Sequence, residues 1–148
     1  MMGKPVVLKA QWADDSDTLM KLRTRVFVEE QNVSAALEID GKDSECQHVK
    51  AMVDGLVIGT GRLLPNGFIG RMCVLAEYRN RNIGTMMLEN LVQQALDSGH
   101  QKVLLNAQSY IIPFYQKYGF RIDSGEFIEA GIPHQRMVLD LKTRTRNP

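Results

Sequence analysis

The spacing of apolar and polar residues changes several times along this chain, and each change marks an element. Val6–Ala10 is a short apolar run of strand type, followed by Trp12 and the acidic cluster Asp14-Asp15-Ser16-Asp17, which suits the start of a helix. Leu19, Leu22, Val26 and Phe27 then share one helical face, with Lys21, Arg23 and Arg25 largely opposite. From Gln47 the period becomes two: Val49, Ala51 and Val53 alternate with His48, Lys50 and Met52 before the turn signal Asp54-Gly55. Residues 56–64 read as the returning strand, Pro65-Asn66-Gly67 as a second turn, and 68–74 as the third strand of an antiparallel meander.

Helical spacing returns with Ile83, Met87, Leu88, Leu91, Val92 and Ala95, and Gly99 supplies a C-terminal cap. Residues 103–106 form a short buried strand. A strand, a helix and a strand in that order predict a right-handed parallel crossover. SYIIPFYQKYGF contains an amphipathic helix ending at Gly119, 120–123 reads as a strand, and 135–141 alternates as the last one. The terminal KTRTRNP reads as a solvated end.

At 148 residues and 44% apolar composition, the chain fits one domain spanning 1–148. A formal charge of +1 gives no broad footprint for nucleic acid or an anionic membrane, which points to a small partner. Cys46 and Cys73 form no CxxC pair and no Cys/His cluster, so reduced thiols and no metal are expected. The N-terminus lacks a signal-peptide core and no stretch reaches the length of a membrane span, which makes the cytoplasm the expected address.

The chemistry concentrates between the third strand and the long helix, in Arg79-Asn80-Arg81-Asn82-Ile83-Gly84-Thr85. A helix opening at Ile83 presents unpaired N–H groups and a partial positive charge, the setting for a phosphate or pyrophosphate. Asn82 and Gly84 tolerate left-handed backbone angles, and Gly84 lets an anion approach. The competing reading of this loop is an ordinary turn. The acidic connection holding Glu29, Glu30, Glu38, Asp40, Asp43 and Glu45 reads either as a solvated face or as a rim that attracts a cationic amine.

Three segments, in order, resemble the Gcn5-related N-acetyltransferases (GNAT), most closely a branch of small bacterial members typified by ElaA. The loop is similar to the acetyl-CoA motif of that family: Gln or Arg, two residues, Gly, one residue, then Gly or Ala, with Asn82 standing at the first glycine. PFYQKYGF, at 113–120, is similar to the family's Phe-Tyr-x-x-x-Gly-Phe segment. VFVEEQNV, His48-Val49 and GIPH at 131–134 look like branch-specific segments. The resemblance implies the acyl-CoA N-acyltransferase fold of mixed α+β class. Its mostly antiparallel, strongly twisted sheet has six to seven strands with a parallel pair at the middle, flanked by about four helices.

It also implies direct transfer of an acetyl group from acetyl-CoA to a primary amine in a ternary complex. A CoA-binding sensor or scaffold without turnover is the alternative. The backbone of Met72, Cys73 and Val74 would pair with the pantetheine arm, Arg79 through Thr85 would meet the pyrophosphate, and Asn106, Phe114 and Lys117 would add cofactor contacts. Tyr115 is the candidate acid, since a phenol titrating near ~10 keeps its proton at neutral pH and can pass it to a thiolate. His134 is the candidate base, with His48, Glu29 and Glu30 as rivals. Cys73 reads as a bystander. The acceptor amine is unidentified, and an exposed sheet edge would make a homodimer unsurprising.

Overall fold

The computed structural model describes residues 2–142 and Arg144, so KTRTRNP lies mostly outside the described residues. Alternation in the middle of the chain becomes a meander of β2 (Gln47–Val53), β3 (Leu56–Leu63) and β4 (Ile69–Val74), with β1 (Val6–Ala10) paired on the outer edge of β2. All three pairings are antiparallel. Asp54 and Gly55 both take positive φ, 50° and 80°, as a tight hairpin turn requires.

Helix α1 (Trp12–Arg23) begins before the acidic cluster and takes Asp14 and Asp15 into its first turn, where they face the positive end of its dipole. The Asp15 carboxylate accepts a bond from the Gln11 N–H at 3.0 Å. The helix continues into a wide π-helical turn, Thr24–Glu30, that carries Val26 and Phe27. Two short pieces follow within the acidic connection: α2 (Ala35–Glu38), capped by Ser34 Oγ, and a single turn at Asp43–Glu45.

The longest helix, α3 (Ile83–Asp97), buries Met87, Leu88 and Leu91 completely. Each such side chain contributes roughly 1.5–3 kcal/mol. Its seat on the first sheet depends on two glycines of β3. A Cβ at Gly59 would lie 3.0 Å from Met87 Sδ, and one at Gly61 would lie 3.0 Å from Leu91 Cδ1. Any side chain there would lift the helix from the strand.

The second sheet holds β5 (Lys102–Gln108), β6 (Arg121–Ile122), β7 (Phe127–Glu129) and β8 (Ile132–Asp140), with β8 pairing to the other three in antiparallel fashion. Helix α4 (Ile112–Tyr118) packs beside β5 and ends at Gly119. The mixed α+β class is as expected, but among the described residues eight strands stand in place of six or seven, in two four-stranded sheets in place of one. The expected parallel pair shrinks to one bridge, Phe68 to Leu104, reinforced by Leu104 N–H donating to Gly67 O at 3.0 Å.

The cause lies in β4. Gly70 pairs with Arg62 and Cys73 with Thr60, so Arg71 and Met72 together oppose the single residue Gly61. This bulge, with Arg71 at φ 51°, turns the strand away from β5 and opens the cleft between the sheets. The extra strand β7 was hidden because its turn is Ala130-Gly131, at φ 51° and 76°, a weaker signal than Asp-Gly. Among the described residues, no helix is long and apolar enough to cross a membrane.

Candidate active site

One side of the cleft is a cavity of about 790 Å³ bounded by Met72, Cys73 and Val74, by Arg79, Asn80 and Asn82 through Thr85, and by Phe114 and Tyr115. Asn80 and Asn82 take the left-handed conformation at φ 63° and 68°, which asparagine adopts more readily than most residues. Asn82 is the N-cap of α3 yet makes no side-chain capping bond, and the first intrahelical bond is Met86 N–H to Asn82 O at 3.1 Å. The N–H groups of Ile83, Gly84 and Thr85 therefore open the helix with no capping side chain, at its positive end. Gly84 is helical, not left-handed; its use is the bare surface it leaves, since a Cβ there would meet only Phe114 Cζ, at 3.9 Å.

Arg79 is less available than its position promised. Its Nε donates to Val74 O at 2.9 Å, and its Nη atoms meet Glu30 at 2.7 and 2.9 Å. Those bonds hold the Glu30 carboxyl below its usual range. Arg81 and Lys117 are exposed and line neither side of the cleft.

The other side is a cavity of about 640 Å³ between the bulged β4, the 31–42 segment and the β7–β8 hairpin. It contains His134, Glu129 and Asn106. Asn106, expected against the cofactor, lies here and donates to Glu129 Oε1 at 3.3 Å. His134 is 6% exposed and stacks on Phe127, with ring centroids 6.0 Å apart. Its Nδ1 lies 2.7 Å from Ile132 O; a carbonyl can only accept, so Nδ1 carries a proton, and in the neutral ring the lone pair is on Nε2. That Nε2 lies 3.6 Å from Glu129 Oε2.

Met72, Tyr110, Ile111 and Tyr115 border both cavities. Tyr115 is held edge-on between Phe114 and Phe120, at centroid separations of 5.0 and 5.7 Å. Its hydroxyl has no hydrogen-bond partner among the described residues, and burial, with the Tyr110 phenol nearby, pushes its pKa up to about 12.

The acetyltransferase (GNAT) domain family matches residues 13–141. The chain belongs to the GNAT family of acetyltransferases. It is 39% identical over 123 residues to the uncharacterized N-acetyltransferase YjcF of Bacillus subtilis, covering 80% of this chain and 88% of that one. An acyl-CoA N-acyltransferase from Pseudomonas aeruginosa superposes with a TM-score of 0.81 at 30% identity, over 91% of this chain and 99% of that one. Escherichia coli ElaA gives 0.78 at 26% identity, over 93% and 99%. This GNAT chain is an acyltransferase, and its chemistry is transfer of an acyl group to an amine.

Within this GNAT, His48 and Glu30 are engaged elsewhere, and Glu29 is exposed and borders neither cavity. His48 is 1% exposed, bonds Asp43 O at 2.8 Å and stacks on Trp12, and burial lowers its pKa; it borders neither cavity. Glu30 is committed to Arg79. Cys73 is buried against Leu22 and Val26, and burial pushes its thiol up to about 12, so a thiolate nucleophile is not formed at neutral pH.

The acidic connection is neither simply solvated nor an open rim. Arg23, 1% exposed, holds Glu38 at 2.6 Å and Asp43 at 2.7 Å; Arg62 holds Asp43 at 3.0 Å and grips Asp40 through both Nη atoms. The Arg62 guanidinium keeps the Asp40 carboxyl far below the usual range. Arg71 ties the same segment through Leu37 O and Glu38 O at 3.1 and 2.9 Å. These arginines were missed in the sequence. The available signal was Arg62 between Gly61 and Leu63 in an otherwise apolar strand, since an unpaired charge is seldom buried.

Proposed function

We propose that this chain transfers an acetyl group from acetyl-CoA to a primary amine by direct attack, with Tyr115 as acid and His134 as base. What carries the reading is the position of Tyr115 at the junction of the two cavities, its hydroxyl uncommitted to any described residue. The pyrophosphate lies on the N–H groups of Ile83, Gly84 and Thr85, and the pantetheine runs along the main chain of Met72, Cys73 and Val74. The thioester then sits at the β4 bulge, where a main-chain N–H polarises its carbonyl.

The amine, mostly protonated in water, gives a proton to His134 Nε2, directly or through water. Its nitrogen attacks the carbonyl carbon, the C–N bond forms, the C–S bond breaks, Tyr115 hands its proton to the departing sulfur, and the second proton of the new amide nitrogen passes through water to the Tyr115 phenolate. A phenol at about 12 is a weak donor to a free thiolate near ~8.5. Desolvation narrows the mismatch: the Cys73 thiol in the neighbouring core is pushed up to about 12, chiefly by burial. A CoA sulfur leaving beside that core meets the same desolvation and accepts the proton readily.

Tyr115→Phe tests this directly. The expected result is a kcat lowered by about 100-fold with the acetyl-CoA dissociation constant unchanged. Unchanged turnover removes Tyr115 from the reaction.

A further inference from the structure

The charges around the acceptor-side cavity are unevenly spent. On the wall made by β4 and the 31–42 segment, Glu38, Asp40 and, behind them, Asp43 are already held by Arg23, Arg62 and Arg71. None retains a charge to offer a cationic acceptor. One cation and one set of guanidinium donors on the same wall are left over. Lys42 is exposed, and its ammonium has no ion-pair partner among the described residues. Arg71 spends Nε and Nη2 on the connection, while its Nη1 has no partner among the described residues. The opposite wall, on the β7–β8 hairpin, presents the Glu129 carboxylate and, 3.6 Å from it, His134 Nε2.

We propose that the acceptor is amino-acid-like, carrying a carboxylate on the same molecule as its amine. The carboxylate meets Lys42 and Arg71 Nη1, and the amine faces His134 and Glu129. Charge complementarity of this kind selects the ligand and fixes its direction across the cleft. Phe27, Val33 and Leu37 border the same space and accommodate an apolar side chain. The positive φ of Arg71 is part of the device, because the bulge turns its side chain from the strand toward the 37–40 backbone. A polyamine would meet net positive charge on this wall.

This assignment rests on the cleft being an acetyl-transfer site, and the test separates the two. Full-length protein is assayed for CoA release from acetyl-CoA with phenylalanine and phenylalaninamide, leucine and leucinamide, β-alanine and its amide, and spermidine. Acetyl-CoA binding is measured in parallel by calorimetry. The α-amino amides have the less basic amine, so more of it is unprotonated, a bias against the expected result. In at least one pair the acid is expected to exceed its amide in kcat/KM by about tenfold or more, with spermidine slower than that acid. Lys42→Ala, at an exposed position that leaves folding intact, should bring that ratio toward one with the acetyl-CoA dissociation constant unchanged. If acetyl-CoA binds but no acid is preferred, whether through faster amides, faster spermidine or no turnover of any acid, the acceptor assignment is overturned alone. If acetyl-CoA does not bind, the acetyl-transfer reading falls with it.

Discussion

The two cavities of the cleft are made of different material. The side proposed for the cofactor is built largely from main chain: an uncapped helix start, two left-handed asparagines and a bulged strand. The acceptor side is built from side chains that lie far apart in sequence, a chain of ion pairs from Arg23 through Glu38 and Asp43 to Arg62, Asp40 and Arg71. Main-chain sites tolerate changes in side-chain identity as long as the backbone path is kept. Side-chain walls do not, because each charged group is held by the others. The first half of the cleft is therefore robust in folding and sensitive in binding, and the second is fragile in both.

Breaking the acceptor wall should give the largest effect. Arg23→Ala leaves Glu38 and Asp43 without their nearest counter-charge in a buried setting and should cost about 3–5 kcal/mol, read by urea unfolding. Arg23 Nη2, Glu38 Oε2 and Arg62 Nε have no partner among the described residues, so the network is already incompletely bonded when the loss is imposed.

The opposite outcome is expected on the cofactor side. Gly84→Ala should fold at least as well as the native chain, since the position is helical and its Cβ would meet only Phe114 at 3.9 Å. The added methyl nevertheless stands where the pyrophosphate approaches, and acetyl-CoA affinity should fall about tenfold by calorimetry. Equal affinities would mean that the diphosphate is not held at this helix end.

Two pH effects are smaller and opposite in sign. Asp40 has its pKa lowered by Arg62, so its contribution is present above the ordinary carboxylate value of 3.8 and is lost as pH falls below it. Asp40→Asn should flatten the acid limb of a stability-against-pH curve. Tyr115 has its pKa raised from 10 to about 12, so the folded state keeps a proton that the unfolded chain gives up. Stability should be intact below pH 10 and decline between 10 and about 12, and Tyr115→Phe should shorten that decline.

The same difference in material explains what could be read from the sequence. The meander, the long helix and the turn at Asp54-Gly55 are local, set by periodicity and by residues adjacent in the chain. The turn into α3 was legible for the same reason, although Arg79 spends its charge on Glu30, 49 positions away, which no local pattern encodes. The second sheet was partly read: β8 begins at Ile132, before the alternation at 135–141, because its opening residues are recruited by β7 through the Ala130-Gly131 turn. The acceptor wall was illegible. Its acidic residues looked like a solvated connection because the arginines that bury them come from α1, β3 and β4. His134 was identifiable as a titratable residue near a turn, but its fixed tautomer depends on a carbonyl position that only the folded hairpin defines.

The central claim is that CoA is held by the first amides of α3. Backbone NMR of the full chain during titration with CoA tests it most directly. The account predicts that the amide resonances of Ile83, Gly84 and Thr85 shift saturably and early, together with those of Met72 to Val74. Saturable binding that leaves the α3 amides unmoved would contradict it.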